Sequence, residues 1–147
     1  MRFLLLRMIM IGYVLFLTGC AVATVGMTQQ ELLSAEGTPG NKWVGVDGVE
    51  CWRYGSRHVF LQNDRVVKIA FRERYFNSAN LMIGLPEAAV ISLEGPPLSV
   101  SAKKDVKYLV YKNRTRKFRS KDFYIHIVNG VVESYGGEGD FDSPKPD

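Results

Sequence analysis

The sequence predicts an α+β fold: two tandem helix-plus-antiparallel-strand repeats, with short helices packed on one face of an antiparallel sheet. Three observations predict it. Gly26–Pro39 (GMTQQELLSAEGTP) and Gly84–Pro97 (GLPEAAVISLEGPP) align without a gap at an offset of 58, sharing Gly, Ser, Glu, Gly and Pro. Each copy is followed by short runs rich in β-branched and aromatic residues. Asn129-Gly130 separates two of those runs, and Asn-Gly is the strongest short hairpin signal.

Composition bounds the rest. The chain has 147 residues, 46% of them apolar and 23% charged, with a formal net charge of +4. That suits one domain or two very small ones, and excludes a mostly disordered chain, a fibre and a polytopic membrane protein. Two cysteines cannot make a disulfide-dense scaffold.

Taken in order, residues 1–19 read as a signal peptide. Arg2 and Arg7 precede Met8–Leu17, an uncharged and mostly apolar run of ten. That length fits a signal core and falls short of the ~20 apolar residues of a spanning helix. The run ends in Leu17-Thr18-Gly19-Cys20, which resembles the bacterial lipoprotein box. The resemblance implies cleavage between Gly19 and Cys20, acylation of Cys20 with palmitate-type chains, and stable membrane anchoring. The same resemblance implies, from Ala21 where an Asp would mean inner-membrane retention, a place at the outer membrane, lipid-anchored on its periplasmic side. Cys51 is then the only thiol left, expected as a small buried hydrophobe.

The first repeat spans 20–71. Thr28 reads as an N-cap with Glu31 three residues on, a capping box, and Met27 with Leu32 as a hydrophobic staple. Gly37 suits the residue after the helix and Pro39 prevents its continuation. Strands are expected at Val49–Tyr54, Arg57–Gln62 and Val66–Phe71, with Asn63-Asp64 as a tight turn. Residues 72–81 read as a connector. The second repeat spans 82–135, with Pro86 as the first helical residue, Gly95 as the stop, and strands at Tyr108–Tyr111, Asp122–Val128 and Val131–Tyr135. Residues 136–147, rich in Gly, Pro and acids, read as a disordered acidic tail.

The pattern Gly26-Met27-Thr28-x-x-Glu31-Leu32-Leu33-x-x-x-Gly37-x-Pro39, shortly after a lipoprotein box, resembles the SmpA/OmlA (BamE-like) family of outer-membrane lipoproteins. Trp52-Arg53-Tyr54-Gly55, Val59-Phe60 and Asp64-Arg65-Val66 extend the likeness over residues 20–71, and 82–135 resemble the same module more distantly. The resemblance implies a non-enzymatic scaffold or accessory factor of the cell envelope, with outer-membrane assembly proteins as partners. The tandem arrangement is also similar to β-lactamase-inhibitor-like proteins, which implies the alternative of a module that grips a soluble periplasmic protein.

Catalytic motifs fail at particular residues. Gly55-Ser56-Arg57 does not fit a G-x-S-x-G elbow. His58 and His126 sit alone in separate repeats, so no metal is expected. No cofactor, no small-molecule substrate and no enzymatic activity are expected. Residues 103–121 stand out, with nine Lys or Arg against one Asp. Lys112, Arg114, Arg116, Lys117, Arg119 and Lys121 are candidate contacts for anionic lipid head groups or an acidic partner; the signal peptide argues against nucleic acid. Trp43, Trp52, Tyr54 and Phe60 are expected to pack mainly in the core.

Overall fold

The computed structural model describes residues 22–104, 106–114, 120–137 and 140. Gly19, Cys20, Arg116, Lys117, Arg119 and most of the tail lie outside the described residues. The order of elements is α1 (Gln29–Glu36), β1 (Asn41–Val44), β2 (Val49–Tyr54), β3 (Arg57–Gln62), β4 (Arg65–Phe71), a short 3-10 helix (Ser78–Asn80), α2 (Glu87–Glu94), β5 (Ser99–Lys103), β6 (Val106–Arg114), β7 (Ser120–Val128) and β8 (Val131–Gly137). The chain is an α+β fold with two four-stranded antiparallel sheets, β1-β2-β3-β4 and β5-β6-β7-β8.

Local chemistry sets the helix ends. The Glu31 amide donates to Thr28 Oγ1 at 3.2 Å, and the Thr28 amide donates to Glu31 Oε2 at 2.7 Å, closing the capping box. Pro86, expected as the first helical residue, is instead the cap of α2, with ψ at 142°. It is held extended by an isolated bridge to Val131, just as Thr28 is bridged to Arg65. Both helices are only eight residues long, so tertiary contact stabilises them more than propensity does.

Turn chemistry sets the hairpins. Asn63 and Asp64 have φ of 51° and 62°, and Asn129 and Gly130 have φ of 50° and 80°. Two consecutive positive φ values define the turn whose twist matches that of antiparallel strands. A one-residue register shift follows in each sheet, after Phe60 in β3 and after His126 in β7.

Two buried clusters order the layers. Leu32 of α1 packs with Trp52, Val59, Leu61 and Val66 on one face of the first sheet, beside Met27, Tyr54 and Ile69. The opposite face of that sheet, with Val49, Cys51, Phe60 and Ala70, shares a larger cluster with Ala89, Val90 and Leu93 of α2. Leu109, Tyr111, Phe123, Ile125, Ile127 and Val132 of the second sheet complete it. Among the described residues the first sheet is therefore engaged on both faces and the second on one.

The two sheets meet at a backbone contact. The Val46 amide donates to the Gly84 carbonyl at 3.2 Å, and the Gly84 amide donates to the Val132 carbonyl at 2.8 Å. A Cβ at Gly45 would stand 2.0 Å from the Gly84 oxygen, so only glycine permits this approach. Between Phe71 and α2 the expected connector carries the 3-10 helix, capped by the Asn77 side chain. Asn77 and Asn80 both donate to the half-buried Glu94 carboxylate, at 2.9 and 3.0 Å. Burial, the larger influence, raises the Glu94 pKa against those two hydrogen bonds.

Four further expectations are corrected. There are two sheets, not one, because each helix-led half closes its own hydrogen-bond ladder. β1 and β5 were not foreseen; both are short edge strands, β1 does not alternate, and in β5 Val100 and Ala102 alternate with polar residues but every residue is exposed. β6 and β7 are longer than read from the sequence, reaching Arg114 and starting at Ser120. Gly136 and Gly137 belong to β8 rather than to the tail, because they pair with Tyr124 and Phe123.

Two stability measurements test this account. Leu93→Ala should cost about 3 kcal/mol in urea unfolding, as buried leucine truncations do, whereas Ile91→Ala, at a position 37% exposed, should cost less than about 1 kcal/mol. Glu94 binds a proton more readily folded than unfolded, so its contribution to stability declines as pH rises from the ordinary glutamate range through its raised value. The unfolding free energy of Glu94→Gln should accordingly gain on the native protein between about pH 4 and about pH 7; parallel pH profiles would contradict the burial argument.

Candidate interaction surface

Period-two alternation divides β7 cleanly. Phe123, Ile125 and Ile127 are buried toward α2, while Asp122, Tyr124, His126 and Val128 point to the other face and are half-buried. Register then builds that outer face row by row. Ser101, Tyr108, His126 and Ser134 stand in one line across β5, β6, β7 and β8. Ser99, Val110, Tyr124 and Gly136 form the next, and Lys103, Val106, Val128 and Val131 a third. Neither buried cluster includes any of these residues, and both helices belong to those clusters.

The centre of the face is an ordered aromatic pair. The Tyr108 and His126 rings stack with centroids 4.6 Å apart and planes 5° from parallel. His126 Nδ1 lies 3.3 Å from Ser134 Oγ and 3.0 Å from Glu133 Oε2. The register shift after His126 makes Glu133 the extra residue of β8, which brings its carboxylate beside the imidazole. His126 Nε2 is buried and has no hydrogen-bond partner among the described residues.

The basic segment lies at one end of this face. β5 pairs with β6 only as far as Val110, and β8 pairs with β7 only from Phe123 onward. Lys112–Arg114 and Ser120–Asp122 consequently form a two-stranded arm beyond the four-stranded part. Lys112 is exposed and pairs with Asp122, and Lys121 is exposed. Arg114 is the last residue of β6. The acidic partner of Lys112 lowers the positive charge expected from the sequence.

Other singled-out residues are structural. Trp52 and Phe60 are buried, and Trp43 stacks on His58 at 6.1 Å. His58 Nε2 lies 3.0 Å from Ser92 Oγ of α2, joining the first sheet to that helix. Burial is the main cause holding His58 below the usual histidine range. His58 and His126 belong to different sheets, and among the described residues no group of three or more His, Cys, Asp or Glu could hold a metal ion. No helix among them is long and apolar enough to cross a membrane. Cys51 is buried and free, its thiol pushed up to about 12 by desolvation.

An internal ion pair ties the start of the described chain to the first sheet. Arg57 donates to Glu36 Oε2 at 2.6 Å, with both side chains largely buried, and the Ala23 amide donates to Glu36 Oε1 at 2.8 Å. Sequence reasoning passed over both this clamp and the outer face. The alternation of Lys121–Val128 was available to reveal the face; nothing local marks Glu36 and Arg57 as partners.

No family model matches the chain, and no curated protein matches it. A solved structure from Streptococcus mutans, described as a "putative beta-lactamase inhibitor protein", is similar at 17% identity, covering 78% of this chain and 83% of that one, with a TM-score of 0.36. At that score the likeness carries no argument about this chain.

The thiol gives a direct test of these assignments. Cys51 should resist a maleimide in the folded protein and react once urea unfolds it, since a buried thiol with so high a pKa presents almost no thiolate. Rapid modification under native conditions would show the cluster around Cys51 to be open.

Proposed function

We propose that this chain is a lipid-anchored lipoprotein of the outer membrane, facing the periplasm, that acts without catalysis by holding a protein partner on the outer face of its second sheet. The observation that carries the reading is that face itself. It presents Tyr108, Tyr124 and His126 among Val106, Val110 and Val128, and neither helix lies over it. Rigid aromatic residues on a pre-ordered sheet favour protein contact, because they bury large area at small cost in side-chain entropy.

The anchoring part rests on Leu17-Thr18-Gly19-Cys20 and the signal segment before it. The family part rests on the Gly26–Pro39 pattern, which resembles SmpA/OmlA lipoproteins, and makes envelope assembly proteins the natural partners to seek. Grip on a soluble periplasmic protein is the alternative use of the same face. We read the two helix-led halves as tandem copies of one module. Their shared details support this: Tyr54 donates to the Gly37 carbonyl at 3.0 Å, and Tyr111 donates to the Gly95 carbonyl at 2.8 Å.

The projecting arm favours a second contact. Lys121 and Arg114 on it, with Arg116, Lys117 and Arg119 in the intervening sequence, would meet an acidic rim of the partner beside the aromatic face.

In-cell photo-crosslinking tests the reading. A photoreactive residue at Tyr124 should capture a discrete envelope protein, Tyr108→Ala should abolish that product, and a probe at Gln30 should not form it. Equal capture from both probes would refute a face-specific role. Cys20→Ala should leave an unprocessed precursor that takes up no fatty acid; normal labelling would remove the anchor.

A further inference from the structure

We infer that the surface beside the start of the described chain, around α1, lies against the lipid bilayer, so that the second sheet is presented away from it. The inference rests on the proposed acylation of Cys20 and deepens it. Ala23 is 5% exposed and packs with Leu32, Trp52 and Val59. Its amide is held by Glu36, whose other oxygen is held by Arg57. The chain is thus fixed to the fold from Ala23 onward. Only Ala21 and Val22 separate that point from Cys20, a reach of at most about 11 Å at full extension.

A tether that short determines which side meets the membrane. Val22 and Val25 flank the entry point and are 55% and 65% exposed. Beside them runs a shallow groove against the exposed side of α1, lined in part by Gln30, Glu31 and Ser34. α1 covers the far face of the first sheet, and the Tyr108–His126 face belongs to the last layer at the other end. Charge complementarity is not the cause of the apposition. α1 carries Glu31 in its first turn and no basic residue in its last, so the lipid chains alone supply the attraction.

The full-length protein made in bacteria, extracted and returned to phosphatidylcholine–phosphatidylethanolamine vesicles, tests this. Cys51 is buried, and an acylated Cys20 has no thiol, so a cysteine added by Gln30→Cys or Ser101→Cys takes a fluorescent label selectively. With a head-group nitroxide in the vesicles, fluorescence should be lost at position 30 and kept at position 101. About eight Gly/Ser residues inserted between Ala21 and Val22, adding up to roughly 28 Å of reach, should restore much of the signal at position 30. A lipid found on Cys20 by mass spectrometry, with equal quenching at both positions, would overturn the orientation and leave the anchor standing. No lipid on Cys20 would overturn both. Quenching at position 30 in an unacylated protein made from Ala21 onward, without residues 1–20, would overturn the tether as the cause.

Discussion

The buried cluster around α2 is the contact on which the rest of the architecture depends. Helices of eight residues do not persist alone, and an isolated four-stranded sheet leaves an apolar face in water. Ala89, Val90 and Leu93 of α2 join Cys51 and Phe60 of the first sheet to Leu109 and Ile125 of the second. Neither sheet can therefore complete its core without the other. The order of layers follows, and with it the asymmetry that gives the molecule its surface. Among the described residues the first sheet has both faces occupied and the second has one.

Charged and polar groups divide according to that order. Glu36 and Arg57 are drawn into the fold and hold the incoming chain, and Glu94 gathers Asn77 and Asn80 to fix the path into α2. His58 and Cys51, which have catalytic chemistry available in principle, are turned inward, one toward Ser92 and the other into apolar packing. The pairs outside this frame, Lys112–Asp122 and Lys107–Glu87, are exposed on their lysine side and add little to stability. On the second sheet the rings of Tyr108 and His126 are left as the ordered feature accessible from outside.

Much of this was legible locally. The Thr28–Glu31 box, the stops at Gly37 and Gly95, and the Asn63-Asp64 and Asn129-Gly130 turns depend on neighbours a few residues away, so the sequence states them directly. β1 and β5 were not legible. An edge strand pairs on one side only, and the short alternation of Val100 and Ala102 with Ser99, Ser101 and Lys103 marks no buried face, since all five residues are exposed. Pro86 was misplaced by one position because its bridge to Val131 is a long-range contact. The outer face was half legible: the alternation of Phe123 and Ile125 with Tyr124 and His126 is plain, but which side α2 would take is decided only by packing. The charge of the basic stretch is plain in the sequence, whereas the Lys112–Asp122 pairing across the arm depends on the register of β6 with β7.

The meeting of Gly45 with the Gly84 carbonyl has a consequence for how such a molecule could change over time. At Gly45 an added carbon would stand 2.0 Å from the Gly84 carbonyl oxygen and push the two sheets apart; at Gly84 it would press on Val46 of the other half at 3.1 Å, on a backbone whose φ of 82° disfavours any side chain. Drift at either position is thus penalised by the other half of the protein. A recombinant that took its first half from one ancestor and its second from another would assemble only if both donors had kept that bare seam.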